Sequence, residues 1–599
     1  MTRYWLLDLE FAGQTLRLST ADLDIASDAG DLHYVGTLQD VQLSEALELL
    51  DAQLPEASVS IEAVLPVDVP ALIAQGYRLE GAVGSLAVWR VGQTWEERRV
   101  RLVGTVSGPE YGAADEPVAF SLVDELWQVD TEIPDQTAAV SSATWPDGHS
   151  AEPTLDFASS LVPEDLNLAY PVVFGTPGVT SGLTYPVYEG SIAVHVSRDD
   201  GPSLAAGWTG PYIVIAGHRV LSDTVYLYTE SISNDTWDYH KPFAGTDPQD
   251  NGFVVYHKLD ALGREVAVVP GVFASGASTD LVNGVEVSSL GANFLNIDLA
   301  DQSYRSSSDG NGGTIYVPLY VGWYDRTRSD LGGGMVGEDG QLVRGAGDVL
   351  SYMLNQTTMT VDRGRMAAAA AALNHLKIDC AIDTRVKVWE WLQSELLPIL
   401  PVSLANGPEG IYAVVWRYDA TASEAVAALN VDDDPTIQRA SRVRVDSSKI
   451  KNRLRLNFCM NRRTGTTMQY RILDGEYNAD DPSTRGSYIC AVSQARYRTS
   501  RDTGVREDEL DTAIVWDVAT ADAILAIRAR AYALAHRTVD YIVSANDYET
   551  LERGDIVTLT DSEIGVSGLV CLVREIQYDT SDTLGVSLLI IEDPARDNL

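Results

Sequence analysis

Cysteine is scarce in this 599-residue chain: Cys380, Cys459, Cys490 and Cys571, with no short spacing among them. No CxxC pair or Cys/His cluster occurs, which argues against a zinc site. A disulfide framework is not indicated either, a pattern that fits folding in a reducing cytosol. Cys571 falls inside a strand-like stretch and reads as a small core residue. Lysine is also rare, at positions 241, 258, 377, 387, 449 and 451, so nearly all basic residues are arginine. No run approaches the roughly 18 apolar residues of a membrane span. The N-terminal stretch meets Asp8 before any signal-peptide core could form. The expectation is a soluble protein with no membrane anchor, not secreted by the general route. Zincin HExxH, phosphate-loop GxxxxGK[ST] and hydrolase GxSxG patterns are all missing.

Negative charge, by contrast, is abundant: 86 Asp and Glu against 43 Lys and Arg, a net charge of −43. Such a surface repels phosphate backbones within about a Debye length, so sequence-specific nucleic-acid binding and docking on an anionic bilayer are excluded. Two compatible origins remain. Acidic, lysine-poor surfaces are common in high-salt or GC-rich sources, and an acidic wall also suits a pore through which a polyanion slides. Hydrophobic residues make up 45% and charged residues 22%, ordinary for a globular protein with well-buried cores. The 27 Tyr and 12 Trp, with abundant Val and Gly, favour strands. At about 100–200 residues per domain, the length implies about three to five domains.

The expected fold class is α+β and β-rich. Residues 1–135 read as a compact β-domain. Tyr4–Leu9 and Thr15–Leu18 form a hairpin about Ala12-Gly13-Gln14, and strands follow at Val59–Leu65, Gly84–Arg90, Val100–Val106 and Val118–Asp124, with a helical turn at Val69–Gln75. Residues 136–189 are a linker with extended segments, and 190–340 an additional β-rich domain with a Gly-rich loop. Residues 341–435 form a helical α/β module. Its helices are expected from Gly347 to Leu354 with Asp348 as cap, from Arg363 to Leu376 through an alanine run, and from Thr384 to Leu397. A strand lies near Ile411–Trp416.

Residues 436–599 open on the alternating strand Asn452–Phe458. Arg496–Asp511 reads as a loop, and Thr520–His536 as a helix with Ile524, Leu525, Ile527 and Leu534 spaced for one apolar face. A turn at Leu551–Asp555 then leads into three strands, to Thr560, from Gly568 to Tyr578 and from Gly585 to Glu592.

No catalytic constellation rises above background. His33, His195, His375 and His536 read as satisfied structural histidines, His536 lying near a helix C-terminus. The acidic pairs Asp199-Asp200, Asp432–Asp434 and Asp480-Asp481 arise readily among 86 acidic residues. Asp432–Asp434 and Asp247–Asp250 could offer oxygens to calcium but lack EF-hand spacing, so solvated loops are the default. No catalytic, cofactor-binding or metal residue is assigned. Trp5, Trp89 and Trp127 are assigned to barrel packing.

A long helix, a Gly-Asp turn and a closing meander resemble the last domain of long-tailed phage baseplate hub proteins. The first 135 residues are similar to a hub barrel, with Tyr34-Val-Gly36, Gly84–Val88, Val103–Val106 and Phe120–Asp124 in that order. Tyr170–Gly175, Tyr185-Pro-Val187 and the strand from Asn452 add further likeness. The resemblance implies two small tube-like β-barrel domains with the helical module between them. It further implies a homotrimeric ring around the tail channel that adapts sixfold distal-tail or tail-tube rings to a threefold tip or fibre. DNA would pass through the lumen without specific binding, in a virion protein assembled in the host cytoplasm. An enzyme is not expected. The alternative is a β-rich polysaccharide-degrading enzyme or a carbohydrate-binding adhesin.

Overall fold

The computed structural model describes residues 2–46, 58–113, 116–123, 131–133, 171–175, 343–407, 409–461, 465–578 and 582–592, together with short, mainly strand, segments between 177 and 326. The described part is β-rich, with large antiparallel sheets and few helices. Seven strands of the largest sheet come from the N-terminal quarter: β1 (Arg3–Phe11), β2 (Gln14–Ser19), β3 (Leu38–Ala46), β4 (Ser58–Ala63), β5 (Val83–Arg90), β6 (Arg99–Glu110) and β7 (Val118–Val123). The β1–β2 hairpin turns at Ala12-Gly13, both at positive φ, so the glycine sits where its conformational freedom is used.

The helical part holds α1 (Ala346–Asn355) and α2 (Arg363–Leu373). Asp362 caps α2, its carboxylate accepting from Arg365 N at 3.0 Å. For α1 the expected cap is displaced. Gly345 holds the N-cap position, and Asp348 lies buried in the first turn, where its carboxylate accepts from Asn374 Nδ2 at 2.8 Å. The helices touch at Gly347, where any Cβ would overlap the Ala370 backbone. The single helix expected over Thr384–Leu397 is instead a short strand at Val386–Lys387, one α-turn at Val388–Trp391, a π-turn at Leu392–Leu396 and a 3-10 turn at Leu397–Ile399.

Strands β8 (Arg453–Asn461), β9 (Thr466–Asp474), β10 (Thr484–Gly486) and β11 (Glu507–Asp511) form a four-stranded sheet with α3 (Tyr488–Tyr497). The helix α4 (Val518–Tyr532) is capped by Asp517, whose carboxylate accepts from Thr520 N at 2.8 Å. It ends before His536 because Arg537–Ser544 is claimed as strand β12. The closing strands are β13 (Ile556–Asp561), β14 (Val566–Tyr578) and β15 (Thr583–Ile590).

The first and last strands share one 14-stranded sheet, in the order β2-β1-β5-β6-β7-β4-β3-β14-β15-β12 and then Gln438–Arg439. The join is the antiparallel ladder of β3 with β14, from Glu575 opposite Ala46 to Tyr578 opposite Leu43. Two large cores lie against this sheet. One is built from β1–β7 together with Val539, Tyr541, Val543, Val573, Ile576, Tyr578, Val586 and Leu588. The other joins the helical module, Leu454, Leu456, Phe458 and α4 to Val570, Leu572, Leu589 and Ile591.

Strands β14 and β15 are therefore buried on both faces, one in each core. That explains why Val570–Val573 and Leu588–Ile591 are continuous apolar runs rather than alternating ones. Each such side chain contributes about 1.5–3 kcal/mol by burial. The second core also crosses the 435/436 division, since β8 and α4 pack with the helical module.

Between 188 and 326, described strand backbones form a six-stranded and a four-stranded sheet. The Gly-rich segments 309–313 and 332–337 lie outside the described residues.

Candidate functional site: an arginine junction and an acidic sheet face

The turn at Leu551–Asp555 is where three parts of the chain meet. Gly554 has φ 86°, and a side chain there would overlap Val414 Cγ1 of the helical module. Its N–H donates to Val573 O at 2.8 Å, and Val573 N returns a bond to Asp555 O at 2.9 Å, so the turn is stitched to β14. Asp555 accepts from Glu552 N at 2.8 Å, and burial raises its carboxyl above the usual range.

Glu552 takes Arg99 Nη2 from β6 at 2.7 Å and Arg365 Nη2 from α2 at 2.9 Å. The Glu549 carbonyl accepts from Arg99 Nη1 at 2.5 Å and Arg101 Nη2 at 2.9 Å, while the Glu549 carboxylate pairs with Arg90. Isolated half-exposed pairs are worth about 0–1 kcal/mol, but one carboxylate shared by two guanidiniums ties three segments with a single group. Of these residues only the Leu551–Asp555 turn stood out in the sequence. Arg99 and Arg101 share a strand face by alternation, yet nothing local points to partners some 450 positions away.

A second surface lies on the side of the sheet turned away from its core. Register places Asp40, Glu62, Ala119 and Glu110 in one row across β3, β4, β7 and β6, and Gln42, Ser60, Ser121 and Ser107 in the next. Asp40 and Glu62 are directly opposite, an arrangement that costs roughly 0.2–1 kcal/mol by like-charge repulsion. Among the described residues Asp40, Glu62 and Glu110 have no basic partner; Asp40 accepts only from Gln42 Nε2, at 2.8 Å. Alternation past the β3–β14 join puts Glu575 and Gln577 on the same side.

The side chains assigned to packing are inside where they are described. Trp5 is buried with its ring edge-on to Tyr578, centroids 6.2 Å apart. Trp89 is buried on the opposite face of the sheet, in a small cluster with Leu6, Ile25 and Tyr34, its Nε1 donating to Gln93 O at 3.0 Å. Trp127 lies outside the described residues.

His33 pairs with Asp24 at 2.9 Å on the surface, and His375 Nδ1 sits 2.8 Å from Ala372 O. His536 is held between Arg530 O and Glu592 N. The side chain of His195, Asp199-Asp200 and Asp247–Asp250 fall outside the described residues.

Asp432 accepts from Ser562 across the fold, while Asp433 accepts from Asn430 and Asp434 from Thr436, organising their own turn. Asp481 does the same for Ser483 N, and also accepts from Tyr470 OH at 3.3 Å. Among the described residues, no group of three or more His, Cys, Asp or Glu is placed to hold a metal ion. Burial pushes the Cys571 thiol up to about 12, which keeps it protonated and inert.

The fold and these surfaces define a β-rich α+β protein whose first and last strands are joined in one sheet. No family model and no curated relative matches the chain. Among solved structures it is similar to the tail protein from Neisseria meningitidis MC58, at 10% identity over 98% of this chain and 97% of that one, with a TM-score of 0.33. It is also similar to the 43 kDa tail protein of prophage MuSo2 from Shewanella oneidensis, at 8% identity over 98% of each chain and a TM-score of 0.31. A chain in the virion of a native gene transfer agent particle matches at 11% identity over 71% of this chain and 85% of that one, with a TM-score of 0.35. All three are loose likenesses of overall shape.

Proposed function

We propose that the chain is a structural hub protein of the baseplate or tail tip of a tailed phage or phage-derived tail, without enzymatic activity. Three copies form a ring around the tail channel. Two tube-like barrel units per subunit then make a pseudo-sixfold ring, matching sixfold distal-tail or tail-tube rings on one side and a threefold tip or fibre on the other. One unit is carried by 1–135 and the other by 436–599, where β12–β15 supply its sheet. The module at 341–435 braces them from behind, 136–189 links, and 190–340 lies to the side.

The observation that carries this reading is the edge-to-edge ladder of β3 with β14, which sets two sheet units side by side in one subunit. The face that continues across that ladder is acidic and rich in small polar side chains. Such a wall keeps a polyanion from adhering, which suits DNA passing through a lumen without specific contacts. The repulsion retained between Asp40 and Glu62 makes sense on a surface selected for its field rather than for stability.

The test is the native mass of the purified chain at moderate salt, with a negative-stain image of the same peak. A three-subunit particle with a central hole supports the hub. A monomer that cleaves or retains polysaccharide in an activity screen replaces it with the enzyme or adhesin alternative.

A further inference from the structure

A cavity of about 160 Å³ lies between the helical module and the closing sheet, lined by Tyr418, Arg574, His536, Tyr532, Lys449 and Leu589 among others. Its size is close to that of the ~150 Å³ engineered cavity known to hold benzene. The walls are aromatic. Tyr418 and His536 stack with centroids 5.3 Å apart and planes 28° apart. The imidazole is already satisfied as a neutral ring, with Nε2 2.8 Å from Arg530 O and Nδ1 accepting from Glu592 N at 3.1 Å.

Two donor side chains, Tyr418 and Arg574, line this cavity. Tyr418 is only 5% exposed, and among the described residues its hydroxyl has no hydrogen-bond partner. Burial raises its pKa, so it remains an O–H donor. Arg574, on β14, has a buried Nε without a partner and forms no ion pair among the described residues. Several other partly buried arginines in this acidic chain are held by carboxylates: Arg344 by Asp379, Arg439 by Asp561, Arg528 by Asp508 and Arg537 by Glu592. A buried donor without an acceptor is costly; Arg574 Nε is one, and with the Tyr418 hydroxyl on the same cavity it describes the complement of an acceptor-rich group.

We propose that this cavity is a binding site for a small organic carboxylate, with Arg574 and the Tyr418 hydroxyl holding its oxygens and the Tyr418, Tyr532 and His536 rings packing its apolar part. The planar guanidinium matches a carboxylate fork. At the rim stand Lys449 and Asp446, the latter engaged by Ser448 N at 2.9 Å and Ser448 Oγ at 2.5 Å. Two cations against one anion leave one positive charge, which suits a monoanion over a dianionic phosphate.

The test is calorimetric titration of the full chain with sodium benzoate, benzyl alcohol and inorganic phosphate. Benzoate is expected to bind once per chain with a dissociation constant of about 1 mM or tighter. Benzyl alcohol and phosphate should bind at least about tenfold more weakly, and Arg574→Gln should weaken benzoate about tenfold or more. Tyr418→Phe should weaken it by a smaller factor. Ala531→Leu, which fills the cavity and leaves both donors in place, should abolish binding while the protein stays folded by circular dichroism. Absence of saturable benzoate binding overturns the proposal. So does phosphate or benzyl alcohol binding as tightly as benzoate, or unchanged affinity in Arg574→Gln. Should Arg574→Gln not fold, retention of full affinity in both Tyr418→Phe and Ala531→Leu overturns it as well.

Discussion

Trp5 and Tyr578 stand 573 positions apart and meet edge to face, with ring planes at 88° and centroids 6.2 Å apart. The Arg101 guanidinium lies 4.5 Å from the centre of the same Tyr578 ring. Tyr578 is also the residue whose backbone pairs with Leu43 at the end of the β3–β14 ladder. One aromatic side chain thus joins the core of the N-terminal strands to the last hairpin. Trp5→Ala is expected to cost about 3–5 kcal/mol, the range for emptying a buried aromatic position. Urea unfolding followed by circular dichroism should show strands 1–123 and 537–592 melting in one transition in the parent and at lower urea in the variant. An unchanged midpoint would show the two ends to be energetically separate.

Gly554→Ala tests the three-way turn. The substitution forces a Cβ into a left-handed backbone conformation at about 1–2 kcal/mol and drives it into Val414 at about 1–3 kcal/mol more. Adding Val414→Ala should relieve the overlap and leave the backbone strain. The double variant should therefore be less destabilised than the sum of the two single ones, and strict additivity would place the cost elsewhere.

Glu552→Gln removes the charge shared by Arg99 and Arg365, with an expected loss of about 1–2 kcal/mol that shrinks as salt is raised. A double-mutant cycle with Arg365→Ala reads the coupling directly. A coupling near zero at low salt would show the junction to be geometric only.

The acidic row predicts a change of the opposite sign. Glu62→Gln relieves the repulsion from Asp40 and should stabilise the fold by about 0.2–1 kcal/mol, visible as a raised unfolding temperature at low salt. A destabilised variant would mean that Glu62 has a favourable role in the isolated chain.

His536 sets a pH dependence. Burial lowers its pKa below the ordinary 6.5, and the folded ring is needed neutral because Nδ1 accepts from Glu592 N. The groups facing it are Tyr418 and Arg574, with Glu592 and Arg530 through the chain ends that hold it. A depressed folded pKa means that this contribution to stability is complete above 6.5. It is lost as the pH falls from there toward the folded pKa, because the unfolded state binds the proton first. His536→Gln should flatten the stability profile below pH 6.5, and an unchanged slope would contradict the assignment.

Much of the fold was legible where a strand buries one face. The β1–β2 hairpin, β4, β6 and β7 follow from alternation: in β1, Trp5, Leu7 and Leu9 face the main core, while Leu6 packs on the opposite face with Trp89. The strand β11 read as a loop because Glu507, Asp508, Glu509 and Asp511 carry no apolar alternation. Its pairing rests on Arg453 and Asn457 across the ladder. The strand β12 goes unassigned in the sequence although Val539, Tyr541 and Val543 alternate, and the expected helix runs on to His536 because Leu534 and Ala535 extend the apolar pattern past Tyr532.

The surfaces were legible only in part. The Gly554 turn announced itself locally, whereas Arg90, Arg99, Arg101 and Arg365 acquire meaning only once the chain brings Glu549 and Glu552 to them. Asp40, Glu62 and Glu110 belong to separate strands, and only register puts them in a row.

A side-chain-resolution cryo-EM map of the assembled particle tests the central claim most directly. The account predicts a threefold ring of subunits in which Asp40, Glu62 and Glu110 stand on the wall of an open channel. A particle with no channel, or a ring that carries these carboxylates on its outer rim or buries them between subunits, would contradict it.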